Sequence, residues 1–422
     1  MVSKISDFVK NNYFATLFYL VFFIFIFYFG KSFSYNFKNS YAFSELFLNY
    51  QGGFVRRGLL GQIFLFSYEK FKISPLLFFS SLLFLFHVLN LIFFFKLIKN
   101  SKLPFEIKII TLFSPALLFF SIYDFNMFFV KDVFTKFLIL LHAFIIIKTK
   151  GSLNSYIKYL KFLIIPLIFF TNIFIHEHGI FFISVHLLFS LYVLKFQKNF
   201  LYVVYGFLIL FIFLIIFNFI GNENVYSEIN SSLKIFGITI HEQLSGGLKS
   251  TFGGFYKWHF FYFKYKDFLM LMLSFLLSIW IFYFIFQYLI NKNILLYDFK
   301  YKYYLFFIPT LGIFITALDH GRNLSLLSFH LVAFYLILKV DTFKLKKFVK
   351  AMRNNFVLLN FIYIFIFFYI FMWVLDHDAA FGGREQLNTI FKSSLFGEFV
   401  SFIKFVYVLI NDHLITLPEI KL

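Results

Sequence analysis

The sequence has no cysteine, which excludes disulfides, thiolate metal sites and cysteine nucleophiles. Charge is scarce too. Only 14% of the 422 residues are Asp, Glu, Lys or Arg, against roughly 25% in a water-soluble protein. Length alone would allow two or three soluble domains; the shortage of charge excludes them. No internal repeat, low-complexity linker or domain boundary is visible, so the chain reads as one unit. The apolar runs do not alternate with polar residues, which argues against a transmembrane barrel.

What the sequence does hold is apolar. Hydrophobic residues make up 61%, Phe alone fills 78 positions, and mean hydropathy is +0.83. The Phe, Ile, Lys, Asn and Tyr usage matches an AT-rich coding bias, so the Phe count says little about function. A helix needs roughly 20 apolar residues to cross a bilayer. Segments at 13–30, 75–95, 108–122, 133–147, 162–176, 180–194, 200–220, 267–290, 303–318, 324–339 and 356–375 meet or approach this. The expected fold is therefore an all-α, polytopic integral membrane bundle of about 11 (10–12) transmembrane helices.

A net charge of +19 would suggest nucleic acid in a soluble chain. Here it reads as topology. With the N-terminus inside, the inner segments carry 21 bases against 4 acids, +17, and the outer segments are left with +2. Lys4 and Lys10 precede a long apolar core without a small-x-small cleavage site, as in an uncleaved anchor. A multi-pass membrane location with a cytoplasmic N-terminus is expected, with the lipid bilayer as first partner. Three long outer segments follow, 31–74, 221–266 and 376–422; within the last, 399–410 is short enough to lie in the interface.

The polar clusters share one face. They are the stretch Gly52–Gly61 with Arg56 and Arg57, then Asp124, Lys131-Asp132, His176-Glu177-His178, Asp319-His320-Gly321-Arg322, and Asp376-His377-Asp378 followed by Arg384. All fall at outer ends of spans, so one shared extracytoplasmic site is expected. Arginine usage points the same way. Only five of the 39 basic residues are Arg, and four of those, Arg56, Arg57, Arg322 and Arg384, are outer. Lys serves topology equally well, whereas the Arg fork fits phosphate or carboxylate oxygens. Each Arg could instead pair with a nearby acid such as Asp319 or Asp378 and fix a loop.

Glu177, Asp319 and Asp124 are candidate general bases, each directly following an apolar span where desolvation raises a carboxyl pKa. His320 is the imidazole beside Asp319. Lys131, His176 and His178 complete the candidate substrate contacts. The i, i+2 spacing of His176 and His178 is not the helical H-E-x-x-H metal pattern. A hydrogen-bond network is the expected role there, with no metal or other cofactor. In 221–266, Gly pairs and Trp258-His259 suit either sugar stacking or an interfacial aromatic belt, the belt being the commoner. His87, His142, His186 and His330 fall within spans but form no recognisable relay.

With these features the chain resembles the bacterial polysaccharide repeat-unit polymerases of the O-antigen and capsule pathways. The resemblance covers the whole chain in outline: its length, its spans, one long outer loop and the outer Arg56, Arg57, Arg322 and Arg384. It implies glycosyl transfer between undecaprenyl-pyrophosphate-linked oligosaccharides at the outer leaflet, without a nucleotide sugar and alongside other polysaccharide-assembly proteins. Arg would hold the departing pyrophosphate while a carboxylate or His takes the acceptor proton. A multi-span transferase using a lipid-phosphate-linked sugar ranks second. Such enzymes place a catalytic acid in the first outer loop, and here that loop offers only the isolated Glu45 and Glu69. A lipid-linked oligosaccharide flippase ranks third, because it should show internal repeats and mid-membrane charges.

Overall fold

The computed structural model describes residues 2–36, 41–53, 57–101, 103, 105–123, 128–149, 154–157, 164–176, 179–194, 225–239, 308–313 and 320–337, with isolated positions between 272 and 370. Among the described residues the chain is helical and contains no strand. The expected spans at 200–220, 267–290, 356–375 and most of 303–318 lie outside them, apart from isolated positions. So do most of 221–266 and all of 376–422.

Eleven helices are used below: α1 Val2–Asn36, α2 Tyr41–Leu46, α3 Leu59–Phe71, α4 Pro75–Asn100, α5 Phe105–Phe113, α6 Phe120–Tyr123, α7 Asp132–Lys148, α8 Ile164–Ile175, α9 Gly179–Leu194, α10 Val225–Leu233 and α11 His320–Ile337. Two stretches are long and apolar enough to cross a membrane, Tyr13–Gly30 within α1 and Pro75–Asn100. Only 17% and 28% of these windows are buried inside the protein. Outward apolar side chains such as Phe23 and Leu77 need a non-aqueous neighbour, which points to membrane association.

Local sequence sets the helix ends. Ser74 caps α4 by accepting from the Leu77 N–H at 3.3 Å, and Pro75 occupies the first turn, where no N–H is needed. Lys72 ends α3 in the left-handed region, φ 54°, returning its N–H to the Tyr68 carbonyl at 2.8 Å. The single span expected at 108–122 is instead broken into α5 and α6. Pro115 is the cause: its ring disfavours helical geometry at Ser114, and it has no N–H to continue the ladder. Ser114 then starts the turn that follows, accepting from Leu117 N–H at 3.1 Å.

α7 is the centre of the described structure. It packs against α4, α8, α9 and α11. Buried polar side chains tie these helices together by hydrogen bonds across their contacts. Asn90 on α4 donates to the Val133 carbonyl at 2.8 Å, and Thr135 on α7 donates to Asn172 on α8 at 2.8 Å. The segment after α1 is fixed by rings: Phe47, Phe64 and Phe79 meet at 4.9–5.7 Å between centroids, joining α2, α3 and α4.

Gly61 permits the close approach that seats this segment. A Cβ there would stand 2.2 Å from the Leu48 carbonyl oxygen, and backbone cannot move aside cheaply. Gly61→Ala is expected to destabilise by about 1–3 kcal/mol through overpacking. Denaturant unfolding in micelles checks it; a change within measurement error would refute the close contact.

A buried charge cluster at the candidate site

Five elements meet at one cluster of charged side chains. α2 supplies Glu45, the turn before α3 supplies Arg57, the start of α7 supplies Lys131 and Asp132, the end of α8 supplies His176, and α11 supplies Arg322. Glu45 is fully buried and ion-paired with Arg57 Nη1, and its Oε1 lies 3.7 Å from His176 Nε2. Arg322 grips Asp132 with both arms of its fork, Nε to Oδ2 at 2.6 Å and Nη2 to Oδ1 at 2.8 Å. The same Nη2 lies 2.9 Å from His176 Nε2. A guanidinium only donates, so the ring nitrogen is the acceptor in this contact. The cluster thus runs continuously from Asp132 through Arg322 and His176 to Glu45 and Arg57.

Backbone geometry places these groups. Arg57 has φ 67°, in the left-handed region that side chains other than Gly rarely adopt. Its carbonyl accepts from Lys131 Nζ at 2.7 Å. Lys131 precedes α7 and Asp132 opens it, the position where a carboxylate is favoured by the helix dipole. His176 follows the last residue of α8: its N–H bonds Asn172 O at 3.1 Å, and its carbonyl accepts at 2.9 Å from the N–H of Gly179, the first residue of α9. The segment under Glu45 is laced down by Asn49 to Ser232 at 3.1 Å and by Tyr50 N–H to Gln62 Oε1 at 3.1 Å. Burial pushes the Tyr50 hydroxyl up to about 12, so it stays protonated.

Beside the cluster a small cavity is lined by the polar His87, Asn90, Ser121, Asp132 and Lys136 and by the apolar Leu118, Phe120 and Val133, with room for about one water. Lys136 is buried and donates to Ser325 Oγ at 3.1 Å. Among the described residues the basic Arg57, Lys131, Lys136 and Arg322 lie near the carboxylates of Glu45 and Asp132, and such a gathering of cations is complementary to an anion. Glu45 Oε2 is buried and has no hydrogen-bond partner among the described residues, so an acceptor lone pair stands ready beside the cations. Arg57, with 17% of its side chain exposed, reaches furthest out of the ion-paired residues.

Of the residues expected at the site, the structure brings together Arg57, Lys131, His176 and Arg322. Arg56, Asp124, Glu177, His178, Asp319 and Arg384 lie outside the described residues; His320 opens α11, and its side chain is likewise not described. Sequence reasoning weighed Glu45 only as an isolated acid, placed Asp132 in an outer polar cluster without a named role, and gave Lys136 no site role. An acid at a helix start was the available signal for Asp132; nothing local marked Glu45. No group of three or more His, Asp or Glu able to hold a metal occurs among the described residues. Comparisons with protein-family models, characterised proteins and solved structures return no match to this chain.

Proposed function

We propose that the protein is a multi-span membrane glycosyltransferase that takes its sugar from a polyprenyl-phosphate-linked donor at the outer face of a bacterial inner membrane. One observation carries this reading. Glu45, a buried carboxylate in the segment after the first span, stands among Arg57, His176, Lys131 and Arg322 with one oxygen lacking a partner. Glu45 would accept the proton of the acceptor hydroxyl as that oxygen bonds the anomeric carbon. The carbon–oxygen bond to phosphate breaks, and the lipid phosphate leaves with the electron pair. Arg57, Lys131 and Arg322 would stabilise the charge that develops on it.

This ordering puts the lipid-phosphate sugar transferase ahead of the repeat-unit polymerase, because the isolated acid of the first outer loop turns out to have cationic company. The polymerase remains the second reading, supported by the number of cations, which suits a pyrophosphate. Both need about eleven spans and an outer site. Deleting the gene separates them: loss of polymer with single repeat units retained supports the polymerase, and a glycan lacking one sugar supports the transferase. An unchanged surface glycan would overturn both.

In the deletion background, Arg57→Ala should fail to restore the glycan that the wild-type gene restores, with membrane insertion intact. Arg57→Lys should restore it only in part, since an ammonium keeps the charge and loses the fork. Full restoration by Arg57→Ala in a gel-ladder assay would remove Arg57 from the site.

A further inference from the structure

Buried histidines tie α7 to its neighbours inside the bundle: His142 lies 3.0 Å from His186 on α9 and 2.7 Å from the Tyr156 hydroxyl. A different kind of surface is carried by α3, which is apolar on two opposite sides. Leu60, Gly61, Phe64 and Leu65 turn inward and are buried. Leu59, Ile63, Phe66 and Lys70 are spaced by four, three and four residues, so at about 3.6 residues per turn they fall on one line along the other side. Ile63 is 44% and Phe66 53% exposed. Lys70 is exposed as well, its ammonium 4.4 Å from the centre of the Phe66 ring. At the C-terminal end Phe71 and Lys72 are exposed, and the Lys72 ammonium lies 4.9 Å from the centre of the Tyr68 ring.

Length, position and charge together indicate what covers this line. The 13 residues of α3 reach about 20 Å, short of a hydrocarbon core of about 30 Å. α3 therefore stays on one side of a membrane. It meets α4 through Phe64, whose ring lies 5.6 and 5.3 Å from Phe78 and Phe79 in the first two turns of α4. α4 is long and apolar enough to cross a membrane, and only Ile73 and Ser74 stand between Lys72 and its first residue, Pro75. Leu76 and Leu77 are exposed on that first turn, so apolar side chains face outward on both sides of the connection. Lys70 and Lys72 outnumber Glu69, the single acid of α3, which makes this end complementary to lipid phosphates. Long lysine side chains hold their ammonium at headgroup level while their stems lie on apolar surface.

We propose that α3 lies in the plane of the membrane surface as an interfacial helix. Leu59, Ile63 and Phe66 enter the acyl layer just below the headgroups, and Lys70 and Lys72 meet the lipid phosphates. The lysine distribution assigns this segment to the outer leaflet. α3 begins two residues after Arg57, so its seat holds Arg57 near the depth of lipid phosphates. The inference rests on the membrane-spanning reading of α4 and is independent of glycosyl transfer.

The chain has no cysteine, so a single introduced thiol can carry an environment-sensitive fluorophore. Ile63→Cys, Phe66→Cys, Ser231→Cys and Leu85→Cys are each labelled in the full chain and reconstituted in phosphatidylcholine–phosphatidylglycerol vesicles, with iodide on both sides of the membrane. Labels at Ile63→Cys and Phe66→Cys should lie about 5–10 Å into the headgroup–acyl boundary. Lipids with a shallow spin label should quench them, and iodide quenching should be several-fold weaker than at Ser231→Cys, exposed on α10. The Leu85→Cys label, on the outward side of α4, should be quenched by deep spin labels. Should one of the two α3 variants not fold, the other is read alone. Iodide quenching on α3 as strong as at Ser231→Cys puts the line in water and overturns the inference. Shielding from iodide and from lipid quenchers alike means that protein covers the line, which overturns it too. Iodide access at Leu85→Cys overturns the spanning of α4 and this inference with it. Label depth is read without sugar transfer, so failure here and failure of the proposed transfer are told apart.

Discussion

Arg322→Ala is expected to cost about 3–5 kcal/mol of stability, the range for breaking a buried ion pair by removing one partner. Arg322 holds Asp132 through two charge-assisted bonds of 2.6 and 2.8 Å, and both side chains are largely shielded. Without the guanidinium, the Asp132 carboxylate stays buried at the head of the central helix while its bidentate partner is gone. His176 Nε2 loses its donor in the same change. The damage reaches α7, α8 and α11 together, and the unfolding midpoint in micelles should fall clearly. Pairing Arg322→Ala with Asp132→Asn should recover a substantial part, because the neutral amide no longer carries the uncompensated charge. If Arg322→Ala unfolds within about 0.5 kcal/mol of wild type, the ion pair has the weight of a surface pair and the cluster is misread. Arg322→Ala therefore reads stability before chemistry, because the guanidinium is almost fully shielded. Arg57, partly exposed, is the better probe of function.

Glu45→Gln is expected to lower sugar transfer by about 10²–10⁴-fold, the usual contribution of a positioned proton acceptor. The amide keeps the volume and one carbonyl oxygen, so the packing of α2 against Phe47 and Phe79 should hold. It loses the negative charge and the capacity to take a proton. The loss should fall on turnover rather than on donor affinity, since the cations that would meet the phosphate are all still present. Glu45→Asp retains the acid but withdraws it by one methylene from Arg57 and should be intermediate. Transfer by Glu45→Gln within threefold of wild type would leave the cluster as a structural network. A fall in unfolding midpoint matching the fall in activity would lead to the same conclusion.

Much of the architecture was legible without coordinates. The apolar runs beginning at 13 and 75 each lie within a long, outwardly apolar helix, and those at 133, 162, 180 and 324 each match a described helix. Helix formation there is dictated by local composition, because an apolar run cannot leave its backbone groups unpaired away from water. The run at 108–122 was misread as continuous, although Pro115 was in plain view; hydropathy is blind to a missing N–H. The expected convergence of loops is also realised for Arg57, Lys131, His176 and Arg322, since short connections bring helix ends to a common face.

The pairings were not legible. Glu45 and Arg57 are twelve residues apart, but Arg322 and Asp132 are separated by 190 and His142 and His186 by 44. No periodicity links residues at such distances. Sequence alone determined that the chain is strongly apolar, and its long apolar runs were expected to be helical, as those among the described residues are. These follow from composition and from the free energy of transferring each residue into lipid. Tertiary structure decided which acid meets which base and which imidazole meets which hydroxyl. Those contacts depend on how helices far apart in the chain rotate and pack around α7, and a few degrees of rotation would replace one partner with another.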